Sequence, residues 1–138
     1  MHYYQSRNGQ AFLALTFFIG GILAVAGILI AFLTLSYVNT GYGVAEEFKA
    51  EAAATAGAED GVLQLDRAGT QFSSGGYTVS AASSTTATVT VTQGSPASGQ
   101  ATILSVATVS GHTKKISVVV SENAITGQIS VVSWADVQ

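Results

Sequence analysis

Only two histidines occur in this 138-residue chain, His2 and His112, and they lie far apart in the sequence. Metal sites built on imidazole need ligands at short spacings, and these two supply none. The chain has no cysteine, which removes disulfides, thiolate nucleophiles and thiolate metal sites together and leaves the redox compartment unread. His112 follows Ser110-Gly111 and precedes Lys114 and Lys115. A serine nucleophile needs a base held beside it. With lysines rather than an orienting carboxylate nearby, His112 reads as an exposed turn residue. Glu59-Asp60 resembles a carboxylate pair for acid and base work. Consecutive helical residues point about 100° apart, however, so a charged helix face is the reading. Gly41-Tyr42-Gly43 lacks the rest of a phosphate-cradling glycine pattern, and Trp134 reads as a core or sheet-edge aromatic. The chain is therefore expected not to be an enzyme, with no catalytic residue, cofactor or metal ligand.

The elements around these residues say more. Residues 11–38 form a 28-residue stretch with no charge. As a helix it extends about 42 Å, more than the roughly 30 Å hydrocarbon core of a bilayer. A helix satisfies its own backbone hydrogen bonds in lipid. Arg7 precedes the stretch, whereas acidic residues dominate the segment after it; the positive-inside rule then orders the N-terminus inside and the remainder outside. Ala24-Val25-Ala26 fits the small-residue pattern of a signal peptidase site. Cleavage there would leave the apolar Gly27-Ile28-Leu29-Ile30 as a new terminus in water, so a retained anchor is the expectation. Gly20, Gly21 and Gly27 mark a candidate helix-packing face, since small residues let membrane helices approach closely.

Charged residues make up only 9% of the chain and the net charge is −3. No basic face is available for phosphate backbones, so nucleic acid is not an expected partner. About 100 residues follow the apolar stretch, the size of one domain.

From Tyr42 the composition turns to strong helix formers. Val44, Phe48, Ala52, Thr55, Ala58 or Glu59, Val62 and Leu65 or Asp66 recur at helical spacing and predict one weakly apolar face. This part of the helix is expected to lie against the following domain, with Gly41 and Gly43 loosening it at the membrane and Gly69 ending it. Glu46 can meet Lys49 across three residues.

Beyond Gly69 the period becomes two. Residues 85–92 alternate Ala87, Val89 and Val91 with threonines, as a half-buried strand requires. Further strands are expected over residues 76–80, 100–110, 113–121 and 128–134. Ser110-Gly111 fits a hairpin turn, and Gln93-Gly94-Ser95-Pro96-Ala97-Ser98-Gly99 a loop. The fold class is α+β, with an antiparallel, meander-like sheet. The divisions are 1–9, 10–40 (membrane half of the helix), 41–68 (stalk half) and 69–138 (β-sheet domain).

Several of these stretches carry a family resemblance. Arg7-Asn8-Gly9 before Gln10-Ala11-Phe12-Leu13 resembles the leader junction of the type IV pilin superfamily, as does the glycine and alanine centre Ile19-Gly20-Gly21-Ile22-Leu23-Ala24-Val25-Ala26. The segment Ala53-Ala54-Thr55-Ala56-Gly57-Ala58-Glu59-Asp60-Gly61-Val62-Leu63-Gln64-Leu65 is similar to the stalk of a group of minor pilins and pseudopilins. The Thr-Val-Ser-Gly-His-Thr-Lys-Lys-Ile-Ser-Val-Val-Val hairpin and the closing Val-Val-Ser-Trp-Ala-Asp look like their sheet endings.

The resemblance implies a leader of residues 1–9, removed by a prepilin peptidase between Gly9 and Gln10. It also implies storage in the cytoplasmic membrane as a single pass with the C-terminus outside, and transfer by an assembly platform into a filament at the cell surface. The partners implied are membrane lipid and other pilin-like subunits. One position departs from the pattern: major pilins carry glutamate at the fifth mature residue, and Ala14 stands there. A carboxylate in lipid is costly unless paired, and its absence points to a minor or tip subunit. The alternative expectation is a single-pass anchored β domain that binds a surface partner without assembling.

Overall fold

A computed structural model describes residues 7–68, 73–81, 85–123 and 125–137, with residues 7–9 described by their backbone alone. His2, Gly69 and most of the expected leader lie outside the described residues. One helix, α1 (Arg7–Ala68), spans 62 residues. It is followed by β1 (Gly75–Ser80), β2 (Thr86–Gln93), β3 (Gln100–Val109), β4 (His112–Glu122) and β5 (Ile129–Val137). The five strands form one antiparallel sheet in the order β1-β2-β3-β4-β5. The fold is α+β and the sheet is the expected meander. The chain divides into two compact units, Met1–Tyr42 and Gly43–Gln138.

The first unit is helix alone. Its sequence is rich in leucine, isoleucine, phenylalanine and alanine, and its large apolar side chains all face outward. The least exposed from Phe12 onward is Val38 at 44% and the most exposed Tyr37 at 84%. The hydroxyls of Thr16 and Thr34 donate to the carbonyls of Phe12 and Ile30, at 2.8 Å and 2.9 Å. These bonds satisfy the hydroxyl protons of both threonines within the helix, as a segment in lipid requires.

In the second unit, residues 43–68 of α1 pack on the sheet. The strands alternate as their sequences do. In β2, Ala87, Val89 and Val91 are buried and the threonines between them exposed. In β3, Ala101, Ile103, Ser105 and Ala107 are buried, which settles which face of that strand is internal. β4 adds Ile116, Val118 and Val120. Ser110 and Gly111, with φ of 49° and 87°, form the two-residue hairpin turn between Val109 and His112. Positive φ at both positions matches the right-handed twist of the strands. Gly94 and Gly99, with φ of 73° and 78°, bracket the loop from β2 to β3.

Two helical expectations are corrected. α1 runs through Gly41 and Gly43 without interruption; neither residue breaks the ladder of backbone hydrogen bonds. The face that meets the sheet is Ala50, Ala53, Ala54, Gly57, Ala58, Gly61 and Leu65, while Val44 and Phe48 are exposed at 45% and 65%. Small side chains decide the orientation because they bring the helix backbone close to the strands. A Cβ on Gly57 would collide with Ser105 Oγ and stand 2.9 Å from Ala87 Cβ, and one on Gly61 would stand 2.6 Å from Ile103 Cγ2.

Candidate functional site

Of the residues singled out in sequence, Gln10, Gly20, Gly21 and Gly27 are exposed on the apolar part of α1. Gly9 and Gln10 are both helical, and Gln10 is exposed. Gly20, Gly21 and Gly27 have nothing within 4 Å of where a Cβ would stand. Seven helical residues turn through nearly two full revolutions, so Gly20 and Gly27 lie on one side of α1. Ala24 and Ala31 share that side, and the four form a groove of small residues flanked by large apolar ones. Glycine content alone marks only part of this groove; the i, i+4, i+7, i+11 spacing is the signal that adds the two alanines.

Between the helix and the β3–β4 hairpin of the second unit lies a polar clasp. Lys114 Nζ is 2.8 Å from Glu47 Oε1. Glu46 takes Lys49 Nζ at 2.7 Å on one oxygen and the Ser110 hydroxyl at 3.2 Å on the other. The Lys49 and Lys114 ammonium groups hold the Glu46 and Glu47 carboxyls below their usual range, and Glu47 in turn raises Lys114. Beside the clasp is a cleft of about 400 Å³ lined by Glu47, His112, Thr113, Lys114, Asp136 and Val137. Two of its polar groups are already engaged: Glu47 by Lys114, and the Thr113 hydroxyl by that of Thr108 at 2.9 Å. The geometry ties helix to hairpin.

The other sequence candidates separate. His112 is exposed at the start of β4. Glu59 is exposed while Asp60 is half-buried towards Tyr77. Burial raises the Tyr77 phenol, and the Asp60 carboxylate adds to that. Trp134 lies on the edge strand β5, 45% exposed. Among the described residues no group of three or more His, Asp or Glu side chains is placed to hold a metal ion.

No protein-family model, curated protein or solved structure matches this chain. What defines its class is architecture: among the described residues, one helix long and apolar enough to cross a membrane, leading into a five-stranded antiparallel sheet. That arrangement is compatible with a pilin-like fold, and equally with a β domain carried on a single membrane helix.

Proposed function

We propose that this chain is a structural subunit of a type IV pilus or pseudopilus-type filament, assembled through its apolar N-terminal helix. The observation that carries the reading is the exposure of all the large apolar side chains from Phe12 to Val38, around the whole circumference of α1. A surface of that size and composition needs an apolar medium. Lipid supplies it first, with the chain crossing the cytoplasmic membrane once and its C-terminus outside. Neighbouring helices of other pilin-like subunits supply it afterwards. The exchange brings little hydrophobic gain, because lipid tails are as apolar as side chains, so close packing along Gly20, Gly21 and Gly27 has to favour it.

In this reading a prepilin peptidase cuts between Gly9 and Gln10 and frees the helix end, and an assembly platform moves the subunit out of the membrane. Ala14, in place of the glutamate of major pilins, leaves the chain without a carboxylate to pair with a neighbour's N-terminal amine. That favours a minor or tip position.

Intact-mass and N-terminal analysis of the native protein tests the reading. The expected mature chain begins at Gln10, and Gly9→Leu retains the leader. A membrane protein that keeps Met1 overturns the filament reading and leaves the anchored binding domain.

A further inference from the structure

Both edges of the sheet are open among the described residues: no strand pairs with the outer side of β1 or of β5. Folded proteins blunt such edges with lysine, proline, bulges or covering elements, because a row of unpaired N–H and C=O groups recruits further strands. Neither edge here carries such a side chain. β1 reads Gly-Gly-Tyr-Thr-Val-Ser and β5 reads Ile-Ser-Val-Val-Ser-Trp-Ala-Asp-Val, with Asp136 the only charge in either. β5 does contain an irregularity where Val119 pairs with Ser133 and Val120 with Val131. That bulge leaves residues 133–137 as the regular stretch, a length close to that of β1. This stretch exposes Trp134 at 45% and Val137 at 40%, and Val131 and Val132 at 52% and 55% stand beside it.

The polarity of the sheet says which occupant fits. Five strands alternating in direction leave β1 and β5 running the same way. A second copy placed beside the first in the same orientation therefore brings its β1 alongside β5 in parallel. A two-fold contact between two β5 strands, its axis perpendicular to the sheet, would instead pair them antiparallel and close a dimer; side-by-side copies in one orientation are what the filament reading supplies. Repetition of the β5-to-β1 contact never pairs an edge with itself, so it extends an open array rather than closing a dimer.

Register supplies a second argument. The cross-strand row Gly75, Val91, Ile103, Val118 ends at Trp134, and the next row, Gly76, Thr90, Leu104, Ser117, ends at Ala135. A copy added without axial shift sets its Gly75 beside Trp134. Among the described residues the space over Gly75 holds only the Ser73 carbonyl oxygen, at 3.8 Å from a Cβ position. An indole laid over an edge glycine fills such a gap and buries the exposed ring.

We propose that the sheet continues from copy to copy, residues 134–137 of β5 pairing in parallel with residues 75–78 of β1 in a second copy, Trp134 covering Gly75. The side-by-side orientation rests on the filament reading; the edge chemistry does not.

The test is disulfide capture in the full-length chain, in its membrane and in sheared filaments. The native chain has no cysteine, so introduced thiols report without background. Ala135 and Gly76 are exposed ends of one row, and a Cβ on Gly76 meets nothing closer than 3.6 Å. Neighbouring strands are about 4.8 Å apart, within disulfide reach. Oxidation of the Ala135→Cys/Gly76→Cys double variant is expected to give a ladder of linked chains, lost on adding Trp134→Ala. Should the double variant fold poorly, the two single variants expressed together are expected to link as a heterodimer. Linked dimers from Ala135→Cys alone indicate a two-fold β5 contact and overturn the proposal. Filaments of chains cut at Gly9 that give no ladder overturn it too and leave the filament reading intact. A ladder in membranes from chains that keep Met1 upholds sheet continuation and removes the filament reading.

Discussion

α1 is one continuous helix with two opposite ways of treating apolar residues. Around residues 10–42 it carries phenylalanines, leucines and isoleucines, all exposed; over residues 43–68 it buries alanines, glycines and a single leucine. The most hydrophobic stretch is thus the least buried and the least bulky the most buried. Burial follows the partner that a face can reach, not the hydrophobicity of the face. The sheet reaches the small residues because they let two backbones approach. Among the described residues nothing covers the large ones, so the first region is an exposed apolar surface and the second a core.

The largest test of this contrast deletes matched methyl groups in each region. Ile103→Ala removes a fully buried side chain that packs on Gly61. It is expected to cost about 2–5 kcal/mol of the second unit's stability, read by denaturant unfolding of the detergent-solubilised full chain. Leu23→Ala, at a position 66% exposed, is expected to leave the same transition in place. Equal losses at both positions would erase the distinction.

Next in size is a test of close approach. Gly57→Ala and Gly61→Ala place a methyl group against Ser105, Ala87 and Val89, or against Ile103. Overpacking of that kind costs about 1–3 kcal/mol; the helix-propensity gain of up to about 1 kcal/mol for glycine to alanine offsets part of it. Gly20→Ala and Gly27→Ala meet open space among the described residues and should leave the second unit's melting temperature unchanged; on the filament reading they alter assembly. If Gly57→Ala proves neutral, close approach of helix and sheet is not what selects glycine there.

Much of this was legible in the sequence. Alternation of Ala87, Val89 and Val91 with threonine marks β2, Ser110-Gly111 marks the β3–β4 hairpin, and the five strands appear within a few residues of their expected ends. The sequence suggested a meander-like sheet, and the pairing of consecutive strands settles its order as one. The docking face of the stalk was legible only in part: Ala58, Val62 and Leu65 lie on it as expected, Val44 and Phe48 do not. A search for apolar residues at helical spacing selects Val44 and Phe48, because volume dominates any hydrophobicity count. The side that docks is defined by what is absent, at Gly57 and Gly61, and only the sheet opposite gives that absence meaning. The Glu47–Lys114 clasp was illegible for the same reason: its partners are distant in sequence. On the apolar half of α1 the exposure was legible but the occupant was not, since none of the described residues covers it.

The smallest test concerns the clasp, where helix and hairpin meet through charge rather than packing. Glu47 is held below the usual carboxylate value of 4.5, first by its hydrogen bond from Lys114 and then by that residue's charge. A carboxylate with a depressed folded pKa contributes stability above its unfolded pKa and loses it as pH falls through the folded one. Lys114, raised above 10.5, contributes below its unfolded pKa and loses that contribution as pH rises through the folded value. Between these windows, across neutral pH, the pair should give a flat profile. Glu47→Gln is expected to remove part of the fall in melting temperature below about pH 4.5 and to flatten the alkaline limb. At pH 7 its cost should be slight, since both groups are in contact with water and salt screens them. Were Glu47→Gln to match Gly57→Ala in size at neutral pH, charge and not close approach would hold the helix to the sheet. The contrast between the two halves of α1 would then have to be redrawn around polar contacts.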